Sequence, residues 1–146
     1  MIPFDLVYVV DDEKFDRLLY KRVIEKSGLV GSLELYPDAE SALKALQDTT
    51  RSPDLILLEI NMPRMTGFDF LDAVDEQLTL SDPPTSVAVL TTSENPSDKS
   101  RAESYKSVRR FLSKPLTKGH LLELAENGPV ERGDNPGNQT VGTSLQ

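Results

Sequence analysis

Four clusters of residues in this 146-residue chain carry the types and spacing for one piece of chemistry. Asp11, Asp12 and Glu13 follow the apolar run Leu6-Val7-Tyr8-Val9-Val10. Glu59, Ile60, Asn61 and then Met62-Pro63 follow Leu55-Ile56-Leu57-Leu58. Thr91, Thr92 and Ser93 follow Val87-Ala88-Val89-Leu90, and Lys114-Pro115 follows the weaker run Val108 to Leu112. Carboxylates held close together repel, so they must share a cation or take up a proton. An all-oxygen donor set suits a hard divalent ion, Mg²⁺ above all, which keeps several of its waters. The Thr91 hydroxyl and the Lys114 ammonium supply what the oxygens of a phosphoryl group require. Taken singly, an acidic residue after a strand is a turn or cap residue, and Lys-Pro is a surface turn. In order, at the ends of four apolar runs, they read as one site.

Such a site needs elements that deliver all four clusters to one edge. The first three runs are nearly continuous rather than alternating, which suits strands covered on both faces, as in a parallel sheet, and Val108 to Leu112 is a weaker fourth with Arg109 and Arg110 inside it. Leu33-Glu34-Leu35-Tyr36 alternates and reads as a strand nearer an edge. Between the strands lie helical patterns. The first has Phe15, Leu18, Leu19, Val23 and Ile24 on its apolar stripe; the second has Ala39, Ala42, Leu43 and Leu46, with Asp38 placed to cap it. A third opens at Thr66 with Asp69 three residues on and buries Phe68, Leu71, Val74 and Leu78. A fourth starts near Ser97 and offers only Ala102 and Tyr105 as apolar residues. A fifth follows Thr117 and carries Leu121, Leu122, Leu124 and Ala125. Strand and helix alternate five times, which predicts an α/β fold: a doubly wound, five-stranded parallel sheet with right-handed crossovers and helices on both faces. In such sheets ligands bind beyond the carboxyl ends of the strands, where the four clusters lie.

Composition removes competing classes. Lys plus Arg is 16 and Asp plus Glu is 24, a formal net charge of −8. That acidity excludes nucleic-acid binding by the domain as a whole. With no cysteine there is no disulfide or thiolate zinc, and a single histidine, His120, excludes a multi-histidine metal site. His120 reads as a surface residue, and Arg17, Arg22, Lys99 and Lys106 as solvated helix faces. No apolar run is long enough to span a bilayer, and the start of the chain lacks a signal-peptide pattern, so a cytoplasmic protein is expected. The last 19 residues, 128–146, hold four of the eight glycines and no periodic apolar face, which predicts a flexible C-terminal tail.

The motifs Val9-Val10-Asp11-Asp12-Glu13, Pro53-Asp54 through Met62-Pro63, Met65-Thr66-Gly67, Leu90-Thr91-Thr92 and Phe111-Leu112-Ser113-Lys114-Pro115 carry a resemblance. From about Asp5 to Asn127 the chain resembles the receiver domain of two-component response regulators, which gives a receiver domain over residues 1–127. The resemblance implies a flavodoxin-like sheet in the order 2-1-3-4-5. It implies that Asp11 and Asp12 hold Mg²⁺, together with the acceptor carboxylate at residue 59 and the backbone carbonyl of Asn61. It implies that Thr91 bonds a phosphoryl oxygen, that Lys114 pairs with the phosphoryl charge, and that Phe111 is the switch aromatic. The family has an aspartate as phosphoacceptor where this chain has Glu59. Glutamate is longer by one methylene, roughly 1.3 Å of reach. Phosphoryl transfer needs in-line placement, and an error of that size can cost ~10²-fold or more. The longer carboxylate extends towards where the phosphoryl oxygens would lie and could engage Thr91 and Lys114 itself. Glu59 is therefore either a natural divergence or an engineered mimic of the activated state.

The expected function is a stand-alone phosphorylation-type switch that acts through protein contacts, since no output domain fits in 19 residues. Its partners would be a sensor histidine kinase or phosphotransfer protein, a downstream target on the face of the fourth helix, fifth strand and fifth helix, and a second copy in a homodimer. That fourth helix, having few apolar residues, is expected to shift most easily. The alternative is a degenerate receiver that has lost switching and serves as a constitutive docking module. A Mg²⁺-dependent phosphatase would need a spacer between its first two acids, which Asp11-Asp12-Glu13 lacks, and a flavin carrier would need a hydroxyl-rich phosphate loop instead of three carboxylates.

Overall fold

Parallel pairing follows from the continuous apolar runs. The computed structural model describes residues 2–127; the tail predicted for 128–146 lies outside the described residues. Five strands, β1 (Phe4–Val10), β2 (Val30–Tyr36), β3 (Leu55–Leu58), β4 (Ser86–Thr91) and β5 (Val108–Ser113), form one sheet in the order β2-β1-β3-β4-β5. Every neighbouring pair is parallel. β1, β3 and β4 are buried almost throughout, while β2, an edge strand, is only partly covered. Five helices connect and cover the strands: α1 (Lys14–Ser27), α2 (Ala39–Asp48), α3 (Gly67–Leu80), α4 (Pro96–Glu103) and α5 (Lys118–Asn127). Two apolar clusters divide the core. One contains Tyr8, Ile56, Leu58, Phe70 and Val74, with residues of α2 and α3; the other contains Val9, Leu57, Leu90 and Leu121, with residues of α1 and α5.

Local chemistry fixes the helix starts. Asp38 accepts the amide of Ser41 at 2.7 Å, and Thr66 and Asp69 complete a reciprocal capping box at α3. α1 ends at Gly28, whose φ of 71° is the left-handed cap that favours glycine. The apolar stripe expected for α1 is corrected by the structure. Phe15 and Leu18 are 68% and 53% exposed, and the buried residues are Tyr20, Ile24 and Ser27. Ile24 of the expected stripe is buried, and Tyr20, which the stripe left out, is buried beside it with its hydroxyl meeting Asp11. In α5, Leu121 and Leu124 are buried but Leu122 is 44% exposed.

Candidate functional site

The sheet delivers the four clusters to its carboxyl edge, each ladder being extended by one bond. The amide of Asp11 donates to the Tyr36 carbonyl at 3.1 Å, that of Glu59 to Val10 at 3.0 Å, and that of Lys114 to Thr91 at 3.0 Å. Asp11, Glu59 and Thr91 are thereby fixed, and all three are buried. Asp12 is half-buried and Asn61 exposed.

Lys114 joins the carboxylates. Its Nζ lies 2.7 Å from Glu59 Oε1, 3.0 Å from Asp11 Oδ2 and 2.7 Å from Asp16 Oδ2. Burial works against the ammonium, but the bonds it donates to Asp16, Glu59 and Asp11 outweigh it and hold Lys114 well above the ordinary lysine range. Burial pushes the Asp11 carboxyl above its usual range; the Glu13 amide, 2.9 Å from Oδ1, and Lys114 offset part of that. Burial also raises the Tyr20 phenol, with Asp11 next to it adding to the effect. Glu59 Oε2 turns back onto its own loop, accepting the amides of Ile60 at 2.8 Å and Asn61 at 3.1 Å.

The Glu59 carboxylate therefore reaches Lys114. Thr91 stands apart from it: its Oγ1 accepts the amide of Ser93 at 3.2 Å. Phe111 is half-buried and packs against the cluster that includes Val89, Phe68 and Ala102. Three residues at or near this site have roles that spacing did not reveal. Asp16 takes a bond from Lys114, Tyr20 donates to Asp11 Oδ2 at 3.3 Å, and Arg17 donates to the Asp11 carbonyl at 2.8 Å. Arg17 is thus no solvated helix face. His120 accepts the Thr117 amide through Nδ1 at 3.1 Å while its own amide donates to Thr117 Oγ1, a reciprocal pair where α5 begins.

The donor chemistry fits a hard divalent ion. Asp11 Oδ1 and Glu59 Oε1 each accept one bond and retain a lone pair, with Asp12 and the Asn61 carbonyl adding further oxygens. In the described arrangement the counterion is the Lys114 ammonium, and no group of three or more His, Cys, Asp or Glu side chains among the described residues is gathered as a metal cage.

Arg101 of α4 and the segment just past the helix meet α3 through polar and aromatic contacts. Tyr105, just past its end, donates to Asp72 of α3 at 2.5 Å. Arg101 lies 4.3 Å over the Phe68 ring and 3.4 Å from Asp72. Asp75 accepts the amides of Lys106 and Ser107 and the Ser107 hydroxyl. The expectation that few apolar residues leave this helix easy to move thus omitted its clamp to α3.

Comparison with known proteins yields consistent matches. The response regulator receiver domain family matches residues 7–126. The chain is 33% identical over 128 residues to the "Probable methanogenesis regulatory protein FilR2" of Methanothrix harundinacea, covering 85% of this chain and 80% of that protein. A two-component response regulator from Cytophaga hutchinsonii superposes with a TM-score of 0.77 at 26% identity, covering 85% of this chain and 95% of that one. The Mn²⁺-bound form of response regulator Rcp1 superposes with a TM-score of 0.67 at 26% identity, covering 84% and 90%; Rcp1 of Synechocystis sp. is 32% identical over 101 residues, covering 66% of this chain and 67% of that protein. The chain spans only 18% of a protein-glutamate methylesterase/protein-glutamine glutaminase of Burkholderia thailandensis that it also matches. No helix among the described residues is long and apolar enough to cross a membrane.

Proposed function

Since the chain belongs to the response regulator receiver family, we propose that it is a signalling switch held partway towards its activated state by Glu59. The observation that carries this reading is the 2.7 Å pair between Glu59 Oε1 and Lys114. Lys114 is the residue that would pair with a phosphoryl group, and here a side-chain carboxylate already engages it. A carboxylate carries about one negative charge where a phosphoryl group carries nearer two, so the bias is partial. The output face is α4, β5 and α5, where a downstream protein or a second copy docks; the input partner is a histidine kinase or phosphotransfer protein.

Mg²⁺ is the expected ion, held by Asp11, Asp12, Glu59 and the Asn61 carbonyl, and it would neutralise phosphoryl oxygens as they approach. The neighbouring Rcp1 structure with Mn²⁺ bound supports a divalent ion of this kind. Mg²⁺ at a hundredfold excess over its Kd is expected to stabilise the fold by ~2.7 kcal/mol, read as a raised melting temperature. A melting curve unmoved by millimolar Mg²⁺ refutes that expectation.

The deciding experiment treats the unaltered chain and Glu59→Asp with acetyl phosphate and Mg²⁺. Intact mass is expected to show a stable phosphoryl adduct on Glu59→Asp and at least ~10²-fold slower labelling of the unaltered chain, because the longer side chain misplaces its nucleophilic oxygen. Amide exchange over α4 and β5 then ranks the states, with the unaltered chain between unphosphorylated and phosphorylated Glu59→Asp. A stable phosphoryl group mapped to Glu59 sinks the misplacement argument.

One observation favours the second reading, a docking module without a switch. Glu59 leaves Thr91 unengaged, and Phe111 sits only half-buried. Exchange in the unaltered chain identical to that of unphosphorylated Glu59→Asp selects this second reading.

A further inference from the structure

A lysine ammonium has three protons to donate and no acceptor. Lys114 faces three carboxylate oxygens within 3.0 Å, on Asp11, Asp16 and Glu59, so its donors are fully spent inside the protein. We propose that Asp16 is a positioning residue for Lys114. It holds one of the three ammonium protons; the proton now donated to residue 59 passes to a phosphoryl group formed there, and drawing the ammonium onto a second phosphoryl oxygen requires Asp16 to let go. The proposal rests on the reading that Lys114 pairs with phosphoryl charge.

The ordinary role of an acid at this place in the chain is a different one. Asp16 is the third residue of α1, where a carboxylate caps the helix start or complements its dipole. The cap amide, that of Glu13, is however taken by Asp11 Oδ1 at 2.9 Å. Asp16 instead sends Oδ2 to a partner 98 positions away, at 2.7 Å. Its side chain is spent on the site.

Residue 59 gives up its carboxylate charge on phosphorylation, so burial decides whether Asp11 or Asp16 yields. The side chains of Asp11 and Glu59 are 1% and 7% exposed, that of Asp16 25%. A carboxylate freed inside the protein loses its counterion without regaining water, whereas one near the surface is rehydrated. Asp16 is the partner whose release costs least. The flexible lysine stem can then swing its charge towards residue 59 without losing Asp11. The arrangement makes Asp16 an internal competitor: it keeps Lys114 in place while no phosphoryl group is present and sets how readily one displaces it.

Two measurements test this. The first is the dissociation constant of beryllofluoride, a phosphoryl mimic, with Mg²⁺ on Glu59→Asp alone and combined with Asp16→Ala, Asp16→Glu or Glu94→Ala. Asp16→Ala is expected to tighten binding about tenfold, the size of one charge-assisted hydrogen bond. Asp16→Glu should restore the parent value. Glu94→Ala removes an equal charge from an exposed residue on the loop after β4 and should change little; an equal gain there would show that general charge is responsible and overturn the proposal. The second is proton exchange at the Lys114 ammonium, observed by NMR in an otherwise unaltered chain. It should quicken several-fold in Asp16→Ala; unchanged exchange overturns the tether. Should Glu59→Asp bind no beryllofluoride at all, the functional reading falls, and the ammonium measurement still decides whether Asp16 positions Lys114.

Discussion

Lys114→Met is expected to destabilise the fold by about 3–5 kcal/mol in chelator at neutral pH, the cost of removing one partner from a buried charge cluster. The cost comes from what stays behind. Asp11 and Glu59 are 1% and 6% exposed. Without the ammonium they would face each other and Asp16 with no cation between them, in a setting where charges are poorly screened. The pH dependence has a definite sign. Burial already places the folded pKa of Asp11 above its unfolded value near 3.8, and removing Lys114 takes away two of the influences that lower it. A raised folded pKa contributes stability that is full below the unfolded pKa and is lost as the pH rises through the folded one. The deficit of Lys114→Met should therefore shrink as the pH falls from 7 towards 4, as Asp11 takes up a proton. Mg²⁺ should also shrink it, by replacing the missing cation. Combining Lys114→Met with Glu59→Leu should cost less than the two single changes added together, since each change removes a charge that the other leaves stranded. Urea unfolding at several pH values checks all three. A loss under about 1 kcal/mol at pH 7, or a deficit that widens on acidification, overturns the account.

The difference between what the sequence showed and what it hid follows from how far apart the partners lie. The sheet was legible because Leu6 to Val10, Leu55 to Leu58 and Val87 to Leu90 are continuous apolar runs, and only a strand covered on both faces needs one. Asp11, Glu59 and Thr91 were legible because each directly follows such a run, and Lys114 because it closes the weaker run from Val108; parallel strands bring those positions to one edge. Asp16 was hidden. Its partner is 98 positions away, and nothing in its own neighbourhood distinguishes it from a helix-start acid. The stripe on α1 was right at Ile24 but wrong at Phe15 and Leu18, which keep helical spacing with it, and it left out Tyr20. The tyrosine, apolar with one polar handle, was the clue, since such a residue when buried needs a partner for its hydroxyl. The clamp on α4 was missed for a similar reason. Asp72 and Asp75, three apart on α3, share a helix face, but their targets Tyr105 and Ser107 belong to a segment whose place beside α3 only the fold determines.

Gly67→Ala is expected to cost about 3 kcal/mol or more, although alanine is the better helix former. The reason is space, not backbone conformation. A Cβ at this first residue of α3 would lie 2.4 Å from the Glu59 carbonyl oxygen and 2.7 Å from the Ile60 Cα. Both obstacles are backbone. Ile60 is 1% exposed within the core, and Glu59 is pinned by its amide bond to Val10. Neither can swing away as a flexible side chain would, so the helix or the loop must move, at the upper end of what overpacking a core costs. The Gly67 amide also donates to the Ile60 carbonyl at 3.0 Å, so the displaced helix would lose that bond as well. The damage should reach the site, because the amides of Ile60 and Asn61 that hold Glu59 Oε2 belong to the same loop. Gly119→Ala is the contrasting change. Its Cβ would meet Thr117 Oγ1 at 3.5 Å, an ordinary contact within α5, and it should be neutral or stabilising by up to ~1 kcal/mol. Denaturant midpoints of the two variants, with Lys114 ammonium exchange as the readout of the site, separate the cases. Gly67→Ala within about 0.5 kcal/mol of the parent, with Lys114 exchange unchanged, would show that α3 is not wedged against the residue 59 loop.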